Sequence, residues 1–222
     1  MTSLSPHLGL REQLAGAARE LARDGLFIGT AGNVSVRDGD LVAVTGTGVV
    51  LEGCRPEDVT VVSRGGEVLE GELAPTSELA LHLGVYDDTG TTAVVHTHAP
   101  YSTAVACVLD ELPVLHYQQL LLGGPVRVAA YATFGTPELA VAVREALAGR
   151  QAALMANHGS VAVGASLAAA VENARLLEWL ATLHHRASVL GTPKVLSQEE
   201  QDDVVRQALS RNYGTPQELE RE

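Results

Sequence analysis

Residues 93–100 read AVVHTHAP and combine a strand pattern with two closely spaced histidines. Three apolar residues run into two histidines and stop at a proline, a pattern that predicts a short buried strand followed by a helix. Side chains two positions apart on a strand point to the same face, so His96 and His98 should lie side by side. Two imidazoles at the end of a rigid strand suit a zinc-type ion, which prefers nitrogen ligands.

The His-x-His pattern alone is a weak signal. The chain has eight histidines in 222 residues, and about 0.3 such pairs are expected by chance at that frequency. Two half-buried histidines satisfied by hydrogen bonds would give the same pattern. The choice between a metal site and two structural histidines therefore depends on the rest of the chain.

The composition fits a single domain, which we expect to span residues 1–222 with a mobile tail from about residue 212. The net charge of −12 argues against nucleic acid or an anionic membrane surface as a partner. No segment has the apolar length of a membrane span, and the first residues lack the pattern of a signal peptide. Cys54 and Cys107 show no ligand spacing and indicate a reducing compartment, so we expect a cytoplasmic protein.

Helical and strand patterns are spread along the whole chain. Helices are predicted at 8–24, 78–87, 101–109, 138–148, 167–190 and 199–211. Strands are predicted at 33–37, 41–44, 59–62, 67–69, 93–98, 152–155 and 161–164. Two tight hairpins join the first four strands, which predicts a largely antiparallel sheet.

Two glycine-rich turns lie at strand ends, at Gly32-Asn33 and at Thr45-Gly46. Such turns let the backbone approach a ligand closely. A plain turn into or out of a strand explains each of them equally well. The residues alone favour the plain turn.

The segment Pro75-Thr76-Ser77-Glu78 opens a helix. Thr76 or Ser77 is a suitable N-cap, and a first-turn carboxylate favours the helix dipole, so capping alone accounts for Glu78. In the functional interpretation, the same helix end binds a phosphate through the two hydroxyls. His82 follows one turn later without a His-Glu-x-x-His pattern, which indicates a structural or supporting role.

Six motifs occur in order along nearly the whole chain: GTAGNVSVR (29–37), PTSE (75–78), VVHTHA (94–99), HY (116–117), YATFGT (131–136) and NHG (157–159). Together they resemble the class II aldolase/adducin family, and within it the L-fuculose-1-phosphate aldolases. Six motifs in order are far more specific than any one of them.

The resemblance implies an α/β fold, a three-layer α/β/α sandwich with a mostly antiparallel central sheet. It also implies a cyclic homotetramer with active sites between subunits. One zinc ion per subunit, or another divalent cation, would be held by His96, His98 and His158, with Glu78 as a possible fourth ligand. The substrate would be a phosphorylated sugar, its phosphate bound by Gly32, Asn33, Thr45, Gly46, Thr76 and Ser77.

The implied activity is cleavage of a ketose 1-phosphate, of the L-fuculose 1-phosphate type, to dihydroxyacetone phosphate and an aldehyde through a zinc-stabilised enediolate. Glu78 would be the acid/base residue. Tyr117, from a neighbouring subunit, would donate a proton to the aldehyde oxygen, and Tyr213 would close over a neighbouring site. A Schiff-base mechanism is disfavoured because Lys194, the only lysine, lies far in sequence from every motif.

Other activities on the same fold stay open. They are a pentulose-phosphate 4-epimerase, a thioribulose-1-phosphate dehydratase and a sugar-acid-phosphate decarboxylase, and a non-catalytic adducin-like binding module is a further alternative. Epimerases of the family tend to carry Asp where Glu78 stands, which favours the aldolase. Asn157 stands where the nearest relatives known to us have His, which leaves the exact sugar open.

Overall fold

The chain folds around one sheet with helices on both faces. The computed structural model describes residues 7–211 and 213–214, within which nine strands form a single sheet and six α-helices are present. The helices are α1 (Leu8–Arg23), α2 (Leu79–Asp88), α3 (Pro100–Ala106), α4 (Pro137–Leu147), α5 (Leu167–Leu190) and α6 (Gln198–Ser210). The strands are β1 (Asn33–Asp38), β2 (Leu41–Thr45), β3 (Val59–Ser63), β4 (Val68–Glu70), β5 (Ala93–Thr97), β6 (Glu111–Leu112), β7 (Val126–Ala129), β8 (Ala152–Met155) and β9 (Gly159–Gly164).

The sheet is mixed but mostly antiparallel, as predicted. Its order is β4-β3-β2-β1-β5-β9-β8-β7-β6. Among the described strands only β7 and β8 pair in parallel. The strand that carries the histidines, β5, lies between β1 and β9, with His96 opposite Asn33 on one side and Val161 on the other.

Alternation along the strands divides the core into two layers, because successive side chains face opposite sides of a sheet. Val95 packs in the core with α1, α3 and α5, and its neighbour Val94 packs in the core with α2 and α4. Both layers are buried, so the molecule is a three-layer α/β/α sandwich. The fold implied by the resemblance is confirmed.

The start of α2 differs from the sequence prediction. Glu78 is the N-cap residue, so neither Thr76 nor Ser77 occupies that position, and α2 begins at Leu79. The Thr76 hydroxyl accepts a hydrogen bond from the Glu78 N–H at 3.3 Å instead. The predicted N-cap is therefore wrong by one or two residues, because the first helical turn begins one residue later than the hydroxyl pattern suggested.

Most of the remaining helix ends follow the sequence closely. Gly25, with φ of +78°, follows α1 as expected, and Ser197 and Glu200 form the predicted capping box of α6. The third helix is shorter than predicted and ends at Ala106. The tail expected from about residue 212 lies, apart from 213–214, outside the described residues. Across the described ranges, no helix has the length and apolar character needed to cross a membrane.

Candidate active site

The end of β5 holds two of the three histidines of the site. His96 is the fourth residue of the strand and is fully buried, and His98 follows the strand with its N–H bonded to the Leu26 carbonyl at 3.1 Å. The His96 Nδ1 lies 3.0 Å from the Ser160 carbonyl oxygen. A carbonyl can only accept, so Nδ1 donates to it and Nε2 is the ring nitrogen left to face the cluster. His98 Nε2 lies 3.0 Å from that Nε2 atom.

A tight turn between β8 and β9 supplies His158. Its ring centroid is 4.9 Å from those of both His96 and His98. Asn157 before it has φ of +54°, a left-handed conformation that Asn tolerates better than most residues. A Cβ on Gly159 would lie 2.2 Å from the Thr97 carbonyl oxygen, so only glycine lets this turn reach β5.

Glu78 completes the cluster from the beginning of α2. Its Oε2 atom lies 3.1 Å from His96 Nε2 and accepts a hydrogen bond from Asn33 Nδ2 at 2.9 Å. The Oε1 atom lies 3.6 Å from His158 Nε2, and it is a buried oxygen with no hydrogen-bond partner in the described part of the chain. The side chain is only 6% exposed and makes no capping hydrogen bond, so capping does not explain it.

The environment keeps the Glu78 carboxylate charged and the imidazoles of His98 and His158 neutral. Burial would raise the pKa of Glu78, but its contacts with His96, Asn33 and His158 together lower that pKa below its usual range. Burial, with the neighbouring histidines, lowers the pKa of His98 to about 4, and the same causes lower the pKa of His158. At neutral pH these rings are in the form that ligates metals.

The donor set fits a divalent cation. The ligand atoms of His96, His98 and His158 all lie within 4.8 Å of one another. Three neutral imidazoles with a nearby carboxylate are typical of a catalytic zinc site. The unpartnered Glu78 Oε1 is the kind of buried atom that such a cation would satisfy.

A cavity of about 570 Å³ opens beside the cluster. Most of the predicted site residues line it, and they come from five separate segments of the chain. The predicted lining residues are Gly32, Asn33, Gly46, Thr76, Ser77, Glu78, His98 and His158, and Thr30, Ala31, Thr47, Gly48, Tyr131, Ala132, Phe134 and Asn157 join them. His96 lies buried beneath.

Two residues predicted to bind phosphate have their polar groups engaged elsewhere. The Gly46 N–H donates to the Asp58 carbonyl at 2.8 Å. The Thr45 hydroxyl accepts from the Val34 N–H at 3.2 Å, and its carbonyl accepts from the Thr76 N–H at 3.2 Å. Thr45 does not line the cavity. It holds the Thr76 segment in place, and a Cβ on Gly46 would lie 2.8 Å from Leu73, so packing accounts for this glycine.

Neither predicted tyrosine lines the cavity of its own chain. Tyr117 begins a short 3₁₀ segment, Tyr117–Leu122, and its hydroxyl lies 2.9 Å from the Tyr213 hydroxyl. Both rings are exposed. The two tyrosines therefore contact each other, and neither lines the cavity beside His96, His98 and His158.

The geometry above agrees with a family match over most of the chain. Residues 12–185 match the model of the class II aldolase and adducin N-terminal domain. The chain belongs to this family. It is a class II aldolase, and such enzymes are metal-dependent.

Named relatives of this aldolase act on more than one sugar phosphate. A 5-methylthioribulose-1-phosphate/5-deoxyribulose-1-phosphate aldolase of Rhodospirillum rubrum is 39% identical, with 96% of each chain aligned. The L-fuculose phosphate aldolase of Escherichia coli K12 is 38% identical over 86% of this chain and 90% of its own. A solved L-fuculose 1-phosphate aldolase is 36% identical with a TM-score of 0.86, covering 93% of this chain and 97% of that one.

Sequence reasoning from the residues alone did not identify the aromatic rim of the cavity. Tyr131, Ala132 and Phe134 lie in the loop before α4. The sequence of this loop indicates a helix cap and a family resemblance, but it does not indicate a cavity wall. The 3₁₀ segment that carries Tyr117 was not predicted either. A run of three leucines with a glycine after it was the available signal.

Proposed function

We propose that this class II aldolase cleaves a ketose 1-phosphate between C3 and C4, releasing dihydroxyacetone phosphate and a short aldehyde. The observation that carries the proposal is the Glu78 carboxylate, buried among three imidazoles with one oxygen unpartnered and the cavity alongside. Carbon–carbon cleavage next to a carbonyl needs a proton carrier beside a centre that stabilises negative charge on oxygen. This cluster combines both.

His96, His98 and His158 would hold one zinc ion per subunit, or another divalent cation, with Glu78 adjacent. The ion would supply a Lewis acid that stabilises charge on the substrate oxygens. The protein's own part is to keep the rings of His98 and His158 neutral and to fix all three rings in place. Ser160 fixes the His96 tautomer through its carbonyl, as partners behind a ligating imidazole commonly do.

Glu78 is the proposed acid/base residue. In the direction of synthesis it removes a proton from C3 of dihydroxyacetone phosphate, and C3 then forms the bond to the aldehyde carbon. The aldehyde oxygen gains a proton, for which Tyr117 is the proposed donor. Cleavage runs the same steps in reverse, so the proton taken from the C4 hydroxyl and the proton given to C3 balance.

The phosphate would lie against hydroxyls and backbone rather than against basic side chains. No Lys or Arg is among the described residues that line the cavity. Thr76 and Ser77 lead into the N-terminus of α2, where N–H groups and the helix dipole favour an anion. Gly32 and Gly46 would allow close approach, with Asn33 at the same edge.

Relatives and cavity together favour a deoxy sugar phosphate. The rim residues Tyr131, Ala132 and Phe134 are largely apolar, which suits an aldehyde with an apolar end. A 5-deoxypentulose 1-phosphate is our first candidate, since the R. rubrum relative carries that name and aligns over 96% of the chain. L-fuculose 1-phosphate is the second, on the relatives and the solved structure of that name.

Tyr117 would act on the cavity of a neighbouring subunit in a homotetramer, with Tyr213 beside it. The support is that both side chains are exposed and lie outside the cavity lining of their own chain. A cytoplasmic location is supported by the two cysteines, which are both free.

Release of dihydroxyacetone phosphate from a panel of ketose 1-phosphates tests the proposal. The panel holds 5-deoxyribulose, 5-methylthioribulose and L-fuculose 1-phosphates, each assayed with the zinc-loaded wild type and with Glu78→Gln. The wild type should cleave at least one of them, and Glu78→Gln should lower kcat by about 10²- to 10⁴-fold because it cannot carry the proton. Glu52→Gln, an exposed change of the same type, is the matched control.

Three outcomes would overturn the proposal. One is loss of water from the thioribulose ester with no dihydroxyacetone phosphate, which is the dehydratase reaction. Another is epimerisation of a pentulose phosphate without cleavage. The last is full activity in Glu78→Gln.

A further inference from the structure

A chain of buried hydrogen bonds leads away from Glu78 into the interface between α2 and the sheet. Asn33 Nδ2 donates to Glu78 Oε2 at 2.9 Å, and Asn33 Oδ1 lies 2.5 Å from His82 Nε2. His82 Nδ1 lies 2.6 Å from the Ser35 hydroxyl, which lies 2.6 Å from the Tyr86 hydroxyl. All five residues are buried, and His82 and Ser35 are fully so. We call these five residues the Glu78 chain.

The chemistry of each group fixes the direction of the Glu78 chain. An ionised carboxylate can only accept, so the Asn33 amide must turn its NH₂ toward Glu78 and its oxygen toward His82. That oxygen can only accept, so the proton of the His82 ring is on Nε2. Burial lowers the pKa of His82 to about 3, so the ring is neutral and its Nδ1 accepts from Ser35. Ser35 in turn accepts from Tyr86, and every donor points toward the carboxylate.

The Glu78 chain acts on the orientation of the carboxylate. Asn33 donates to Oε2 at 2.9 Å, whereas the His96 nitrogen 3.1 Å from Oε2 is the one that the proposed cation would occupy. A donor fixed on Oε2 restricts rotation of the carboxylate and thereby aims the unpartnered Oε1. Asn33 can fix Oε2 only while His82 holds the amide oxygen, because a free amide rotates.

We propose that His82 is a positioning residue for the proton-transfer step, holding Asn33 so that Glu78 presents Oε1 to the substrate. This inference rests on the proposed function. It also changes the role of Asn33. Both ends of its amide are engaged within the protein, which leaves one N–H of Nδ2 for any phosphate, so orienting Glu78 is its main task.

His82→Gln and His82→Asn form the matched pair that tests the proposal. The Gln amide reaches the position of Nε2 and can still donate to Asn33, whereas the shorter Asn amide reaches only the position of Nδ1 and cannot. The measurement uses zinc-loaded enzyme in D₂O. NMR monitors the exchange of the C3 hydrogen of dihydroxyacetone phosphate for deuterium. This half-reaction needs the proton carrier but no aldehyde.

His82→Asn should lower kcat for exchange by about 10- to 100-fold, the usual effect of losing a partner behind an active-site group, with KM almost unchanged. His82→Gln should keep most of the wild-type kcat. Thr91→Val controls for stability, because it removes a buried hydrogen bond to the Gly164 carbonyl at the far end of β5. It should lower the unfolding midpoint without changing kcat.

Tyr86→Phe keeps the test decisive if either His82 variant fails to fold. It removes only the hydroxyl at the end of the Glu78 chain, and it should reduce kcat by a smaller factor with KM unchanged. Equal kcat in the Asn and Gln variants, or a loss that appears in KM alone, would overturn the positioning role. A wild type that exchanges no hydrogen would overturn the proposed function, and the inference with it.

Discussion

At the scale of single residues, a change at Ser77 can test phosphate binding without disturbing the fold. This serine lines the cavity just before Glu78 and is exposed. No described hydrogen bond uses its hydroxyl. The fold therefore does not need that hydroxyl, and a phosphorylated substrate offers it a charged acceptor.

Ser77→Ala should raise KM for a phosphorylated ketose by about 10- to 150-fold, the equivalent of a hydrogen bond to a charged group worth about 1.5–3 kcal/mol. Steady-state kinetics with the phosphorylated ketose and its unphosphorylated form would show the difference. KM for the unphosphorylated sugar and the zinc content should not change.

Ser188→Ala, an exposed serine on α5, is the control for the Ser77 variant. If Ser77→Ala weakens the binding of the phosphorylated substrate and of zinc equally, the hydroxyl supports the fold and does not bind the phosphate.

Glu78 illustrates what the sequence could reveal at this scale and what it could not. The residues alone gave a helix-capping carboxylate, and only the family resemblance made it an acid/base residue. The link from Glu78 to His82 depends on Asn33, which lies 45 positions before Glu78 in the chain and contacts it from the start of β1. No local pattern encodes such a contact. His82 was assigned a structural or supporting role from the missing metal motif, and its contacts give that role a specific form.

At the scale of elements, α3 depends on a carboxylate from another helix. Its N-cap residue Ala99 has no side-chain cap. Glu178 of α5 accepts from the Tyr101 N–H at 2.9 Å and from the Ser102 N–H at 2.8 Å. The first turn of α3 follows His98 directly, so Glu178 also fixes the backbone just after that histidine.

Glu178→Ala should lower the free energy of unfolding by about 1–3 kcal/mol, because it leaves two N–H groups without their acceptor. Urea unfolding of the metal-free protein would measure the change. Glu172→Ala on the same helix is the control, since its exposed ion pair with Arg175 should contribute less than about 1 kcal/mol. Equal effects of the two changes would mean that Glu178 does not cap α3.

Elements with clear hydrophobic alternation or caps were predicted well, and those set by tertiary contacts were not. Thr136 with Pro137, and Ser197 with Glu200, mark helix starts through local chemistry that a sequence displays. The start of α2 was misplaced because Thr76 is held by Thr45 on a neighbouring strand, which no local pattern shows.

At the scale of the whole molecule, the proposed tetramer makes a prediction about mixed subunits. If Tyr117 acts on a neighbouring cavity, a Glu78→Gln subunit still supplies a working tyrosine to its neighbour. A Tyr117→Phe subunit still supplies a working glutamate. Hybrids of the two inactive variants should therefore regain a measurable part of wild-type kcat.

Co-expression of differently tagged variants and purification through both tags would provide those hybrids for the cleavage assay. The matched control is a hybrid of Glu78→Gln with the double variant, which should stay inactive. No regain of activity in the first hybrid, with a tetramer confirmed by sedimentation, would place Tyr117 on the cavity of its own chain.

Three imidazoles from two distant segments are proposed to meet at one cation beside Glu78. Zinc content per chain, measured after loading and desalting, tests it most directly in the wild type, in His158→Ala and in His184→Ala, a histidine near the end of α5. We predict one zinc per chain in the wild type and in His184→Ala, and a strongly reduced content in His158→Ala. A wild type without bound zinc, or a His158→Ala protein that keeps its full zinc content, would contradict the account.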